Sequence, residues 1–152
     1  MKTLAIIFSL AAFFSTTASS QSTLQNEGKY SAAGLDDDIE VEKFFVSFKE
    51  AVAKGEKRKV AALVAFPVEA TLMTGHRLTI KNEAEFLRKY DGIFDKTFKQ
   101  VILQTEVKDL WARWSGVAMP TGEIWINGVG KNIKQPKKYT IKITTINGVT
   151  GR

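Results

Sequence analysis

The chain has no cysteine, one histidine and three prolines in 152 residues. Without cysteine there is no disulfide framework, no thiolate nucleophile, no thiolate metal site and no dithiol redox pair. His76, the lone histidine, cannot assemble a His-rich zinc centre by itself, so no metal and no other cofactor is expected. No Asn-x-Ser/Thr sequon occurs. The glycines near the end, Gly128 and Gly130, lack the strand-to-helix setting of a phosphate-cradling loop. Long apolar runs are missing too. The longest apolar stretch, residues 4–14, is about half of the roughly 20 residues that a membrane-spanning helix needs. These absences suit a bacterial exported domain, whose core is large enough to stand without disulfides.

What is present begins with a signal-like start. Lys2 precedes the apolar stretch, and the small residues Ser15, Thr16, Thr17, Ala18, Ser19 and Ser20 follow it. That tripartite layout predicts a secretory signal peptide over residues 1–20, cleaved after Ala18 or, by preference, after Ser20. The expected location is the periplasm or the exterior, with no stable membrane anchor and no cysteine to carry a lipid. Removing residues 1–20 leaves 132 residues, the size of one domain, and with Lys2 gone the formal charge falls from +6 to +5. Such a charge keeps a domain soluble, or turns it toward anionic head groups, cell-wall polymers or acidic proteins. Nucleic acid is not an expected partner. Basic residues interleave with aromatics only over residues 131–139, and export separates the chain from that target.

Residues 21–37 are polar, without apolar periodicity, and read as a flexible lead-in. Asp37 and Glu40 have capping-box spacing, and behind them Val41, Phe45, Phe48 and Val52 form one face of a helix ended by Lys54 and Gly55. A second helix is predicted over residues 56–65, burying Val60, Leu63 and Val64 and stopped by Pro67. Residues 68–73 and 77–80 read as strands around a turn holding Gly75 and His76. Asn82 with Glu85 opens a helix burying Phe86, Leu87 and Tyr90, closed by Asp91 and Gly92. Asp95 caps another helix through Phe98, Val101 and Ile102. Strands are then expected over residues 110–119, 123–129 and 139–146, with a lysine-bearing loop (Lys131, Lys134, Lys137, Lys138) before the last. Helices first and an antiparallel sheet afterwards make an α+β class.

Several of these runs resemble the nuclear transport factor 2-like, or cystatin-like, cone fold that also houses ketosteroid isomerases and polyketide cyclases. The carrying residues are Ala53-Lys54-Gly55-Glu56 running into Val60-Ala61-Ala62-Leu63-Val64, the turn at Thr74-Gly75, and Glu85-Phe86-Leu87-Arg88-Lys89-Tyr90. Phe66-Pro67-Val68, Lys81-Asn82-Glu83 and Tyr90-Asp91-Gly92-Ile93-Phe94 are similar to a subgroup of small exported bacterial members. The resemblance implies one domain over residues 38–146, N-terminal helices packed on a curved antiparallel sheet that forms a cone, and a tail over 147–152. It also implies that two copies can pair through the sheet, which leaves a homodimer open. The chain departs from the familiar members by ending in Ile146-Asn147-Gly148-Val149-Thr150-Gly151-Arg152 rather than on a long Trp-bearing strand.

Cone-fold enzymes that use no cofactor place an Asp or His in an apolar cavity. Here His76 falls in a turn and Asp91 at a helix end, so neither is expected to be catalytic. A two-residue turn at Pro120 and Thr121 would pair Ala118 with Glu123 and Gly116 with Trp125. Trp114, Gly116, Glu123 and Trp125 would then share one face, with Arg113, Val117 and Ile124 on the other. Trp114, Glu123 and Trp125 are the expected ligand-binding residues, a carboxylate between aromatic walls; the alternative makes the tryptophans core and Glu123 a rim residue. The function that follows is a non-catalytic envelope binding module holding a small ligand or a protein partner, in the cone cavity or on the sheet face. Two alternatives stay open: a cofactor-free isomerase, dehydratase or hydrolase using a buried carboxylate, and a protein inhibitor or immunity factor.

Overall fold

Three side chains start three helices. Asp37 accepts the N–H of Glu40 at 3.0 Å, Asn82 that of Glu85 at 3.0 Å, and Asp95 that of Phe98 at 2.8 Å. Each satisfies one of the donors that a helix start leaves without a partner. The structure, a computed structural model, describes residues 28–72, 74–130 and 139–148. The expected signal peptide, the first part of the lead-in, Met73, the loop over residues 131–138 and residues 149–152 lie outside them.

Helix α1 (Asp38–Ala53) follows Asp37, and α2 (Lys57–Ala62) follows Gly55, whose φ of 67° ends α1 where a side chain would be strained. Strands β1 (Val64–Thr71) and β2 (Arg77–Ile80) come next, then α3 (Glu83–Ile93) and α4 (Lys96–Gln104). Strands β3 (Trp111–Arg113), β4 (Gly116–Ala118), β5 (Ile124–Val129) and β6 (Thr140–Asn147) complete one open sheet in the order β2-β1-β6-β5-β4-β3. All neighbours are antiparallel except β1 and β6, which run parallel. The class is α+β.

Val68, Ala70, Ile80, Val117, Ile124, Ile126, Ile141, Ile143 and Ile146 are buried on one side of the sheet, and they form one core with Val41, Phe45, Phe48 and Val52 of α1. An aromatic column crosses this core. Tyr90 stacks on Phe94 at 4.8 Å and Phe94 on Phe98 at 5.4 Å, while Phe48 and Phe86 meet Phe94 edge-on.

The structure corrects several expectations. The lead-in is part of the fold from Gly28 onward. A 3-10 turn (Ser31–Ala33) follows Tyr30, and Tyr30 and Leu35 are fully buried in the common core. Two isolated apolar residues carry no periodicity, so the sequence hides them. Helix α2 stops at Ala62, because Ile143 donates its N–H to Leu63 O at 2.8 Å and the chain continues as β1. Pro67 therefore lies within a strand, in the stretch where the register with β6 shifts between Val64 and Glu69 and a missing N–H costs no ladder bond. Helix α3 runs through Asp91 and Gly92 to Ile93, which is buried. The strand expected over residues 110–119 is a hairpin, β3 and β4, folded at Trp114 and Ser115.

Candidate functional site

The hairpin pairs Trp111 with Ala118, Ala112 with Val117 and Arg113 with Gly116. Gly116 makes it: its φ is 132°, and a Cβ there would stand 2.6 Å from the carbonyl oxygen of Ile126. The same close approach sets β4 against β5, with Ala118 opposite Trp125 and Val117 opposite Ile126. The expected pairs, Ala118 with Glu123 and Gly116 with Trp125, do not form. The connection is longer than two residues: Met119 N–H reaches Ile124 O at 3.2 Å and Gly122 N–H reaches Met119 O at 2.9 Å. A slip of two keeps the parity of β4 against β5, so Gly116 and Trp125 still share a face. Folding β3 back at Trp114 brings Arg113 onto that face rather than the opposite one.

The three expected ligand-binding residues have different settings. Trp114 sits in the hairpin turn, 86% exposed. Glu123 is buried, and its carboxylate faces its own loop: one oxygen accepts the N–H of Thr121 at 3.0 Å and the other accepts the Thr121 hydroxyl. Asn147 reinforces the loop by donating its N–H to Glu123 O at 2.6 Å and its side-chain amide to Gly122 O at 2.8 Å. Trp125 alone stays on the half-buried outer face of the sheet.

Trp125 lies against Gly122 of that loop and meets the side chains of Trp111 and Arg113. The two indoles meet edge to face at 5.3 Å. Trp111 is fixed by donating its indole N–H to Met119 O at 3.0 Å and Pro120 O at 3.2 Å. The Arg113 guanidinium lies 4.5 Å from the Trp125 ring and 5.5 Å from that of Trp111, and its Nε donates to the Ser115 hydroxyl at 2.7 Å. Ser115 is held in turn, its carbonyl accepting from the Asn127 side chain at 3.2 Å. No carboxylate lies within ion-pair distance of Arg113 among the described residues. A stacked guanidinium bonded through Nε keeps its two terminal nitrogens as a fork, the geometry that grips a carboxylate or phosphate by two parallel bonds. The reading of the residues put Arg113 on the opposite face because it took residues 110–119 as one strand. The signal that could have found the turn is Ser115-Gly116, a turn dipeptide inside an otherwise strand-like run.

Elsewhere the sequence candidates have structural partners or lie in solvent. His76 is exposed in the β1–β2 turn, where its carbonyl accepts from Leu72 N–H at 2.9 Å. Asp91 is exposed and pairs with Lys57 at 2.6 Å; that hydrogen bond holds its carboxyl below the usual range. Among the described residues no group of three His, Cys, Asp or Glu side chains comes together at metal-binding distance, and no helix is long and apolar enough to cross a membrane. No family model, no curated protein and no solved structure matches the chain.

Proposed function

We propose that the protein is an exported, non-catalytic binding module of the bacterial cell envelope, built on a nuclear transport factor 2-like cone, and that its outer sheet face takes a small anionic ligand at Arg113, Trp111 and Trp125. The fold reading is supported by the order of elements: two helices, a strand pair, two helices, then strands whose last member returns beside the first. The single observation that carries the function is the Arg113 guanidinium, stacked on Trp125, anchored through Ser115 and without a carboxylate partner among the described residues. The ligand class is a carboxylate or phosphate joined to an apolar or ring-shaped body, the anion on the fork and the body against the Trp111 edge. The enzyme alternative needs a buried carboxylate free to move a proton. Glu123 is the buried carboxylate among the described residues, and both its oxygens are engaged by Thr121.

The test is a tryptophan-fluorescence screen of small carboxylates and phosphates against neutral analogues. Arg113→Lys should weaken every anionic hit by about tenfold or more, because an ammonium neither stacks flat nor bonds bidentately. Glu123→Gln should leave affinity unchanged and lower the melting temperature, since a charge-assisted bond within the loop is lost. If Arg113→Lys binds as wild type does while Glu123→Gln loses binding, the site lies at Glu123 and the reading is wrong.

A further inference from the structure

A groove follows the flank of α1. At its start Asp36, Asp37, Asp38 and Glu40 face Tyr139 across a hollow of about 670 Å³. In the middle Glu40, Phe44 and Ser47 face Leu63 and Ile141 across about 390 Å³. Towards its end Ser47 and Lys54 face Lys59 and Leu63 across about 380 Å³. The first two hollows share Glu40 and the last two share Ser47 and Leu63, so the three lie next to one another along α1.

One wall of the middle section is an unfinished sheet edge. Strand β1 begins at Val64, opposite Ile143, whereas β6 begins three residues earlier, at Thr140. Thr140, Ile141 and Lys142 pair with Val129, Gly128 and Asn127 of β5 on one side and, among the described residues, have no strand on the other. Ile143 donates its N–H to Leu63, away from β5. Backbone groups alternate sides along an antiparallel strand, so the N–H and C=O of Ile141 also point away from β5, toward the groove. No other backbone group among the described residues bonds to them. Phe44 and Leu63, both half-buried, supply an apolar wall beside this edge.

Charge decides the occupant. At the far end the lysines are matched, Lys54 by Glu50 and Lys59 by Glu56; in the middle Lys142 is committed to the carbonyl of Ala62, and Lys43 lines the hollow beside Glu40. Asp36, Asp37, Asp38 and Glu40 take part in no ion pair among the described residues. Among the described residues, the groove therefore ends on an acidic mouth to which no cationic side chain is paired.

We propose that this groove binds an extended basic peptide segment of another protein by strand addition: its main chain pairs with Ile141, an apolar side chain rests on Phe44 and Leu63, and a lysine or arginine reaches the acidic mouth. This is the recognition mode in which backbone bonds give affinity and alternate side chains give specificity. It stands independently of Arg113.

The probe is a capped hexapeptide alternating lysine and valine, compared with its alternately N-methylated form and with a glutamate–valine peptide. Titration calorimetry should show the lysine peptide binding, with each of the other two weaker by about tenfold or more. Hydrogen exchange of the Ile141 amide should slow in the complex. Glu40→Lys should weaken the lysine peptide by about fivefold with an unchanged melting temperature, its side chain being exposed. Equal affinity for the N-methylated peptide would overturn strand addition, as would an unprotected Ile141 amide. Absence of binding by the lysine peptide up to about 1 mM, where association is worth only about 4 kcal/mol, would overturn the site itself.

Discussion

Tyr90 shows how single side chains set the chemistry of the core. Its ring is sealed between Phe86 and Phe94, with the ammonium groups of Lys57 and Lys99 over it at 5.4 and 5.5 Å. Its hydroxyl is buried with no hydrogen-bond partner among the described residues. Burial, with the Asp91 charge as the lesser cause, pushes its pKa up to about 12 from 10.0. A raised pKa means that the folded state keeps a proton which the unfolded chain releases. The stabilisation is thus whole below pH 10 and is lost as pH rises toward 12, at up to about 1.4 kcal/mol per pH unit. Tyr30, raised by burial and then by the Glu42 and Asp38 charges, acts in the same direction. Tyr90→Phe removes an unpaired buried hydroxyl and keeps the ring contacts, so it should match or exceed the wild-type melting temperature at neutral pH. Urea melts from pH 9 to 11 should show a shallower alkaline loss than wild type. A neutral-pH destabilisation of more than about 1 kcal/mol would instead reveal a hydrogen bond made by that hydroxyl.

Among elements, the β3–β4 hairpin decides where the candidate site lies, and Gly116 decides the hairpin. Gly116→Ala places a methyl 2.6 Å from a backbone oxygen at a φ that alanine rarely adopts. The strain should cost about 1–3 kcal/mol by denaturant unfolding and should also release Arg113 from Trp125, a change readable as altered tryptophan emission. An unchanged midpoint would mean that the hairpin can shift register. This element also marks where the sequence is readable. Helix starts were legible because Asp37, Asn82 and Asp95 act locally, within three residues, and the core face of α1 was legible because Val41, Phe45, Phe48 and Val52 repeat at its period. The end of α2 was not, because it is set by Ile143, far along the chain. The site was half legible. Gly116 and Trp125 share a face as expected, but Trp114 and Glu123 were assigned by a turn two residues shorter than the real one, and Arg113 was put on the opposite face.

For the whole molecule, the core is closed from both ends of the chain. Leu35 precedes α1 and is fully buried in the cluster that also contains Ile146 of the last strand. Leu35→Ala should cost about 2–5 kcal/mol, the range for truncating a buried leucine, as measured by chemical denaturation. A loss below about 0.5 kcal/mol would show that the residues before Asp36 only lean on the fold. The sheet order has the larger consequence. Strand β6, the last of the described strands, occupies the middle of the sheet, between β1 and β5. Without it, the sheet falls into two pieces, the β1–β2 pair and the β3–β4–β5 meander, and no ladder among the described residues joins them. During synthesis, therefore, most of the chain emerges before its two halves can be stitched together. Until residues 140–147 arrive, β1 and β5 each present a bare edge to any neighbouring chain, the kind of edge at which nascent proteins aggregate and to which holding chaperones are suited.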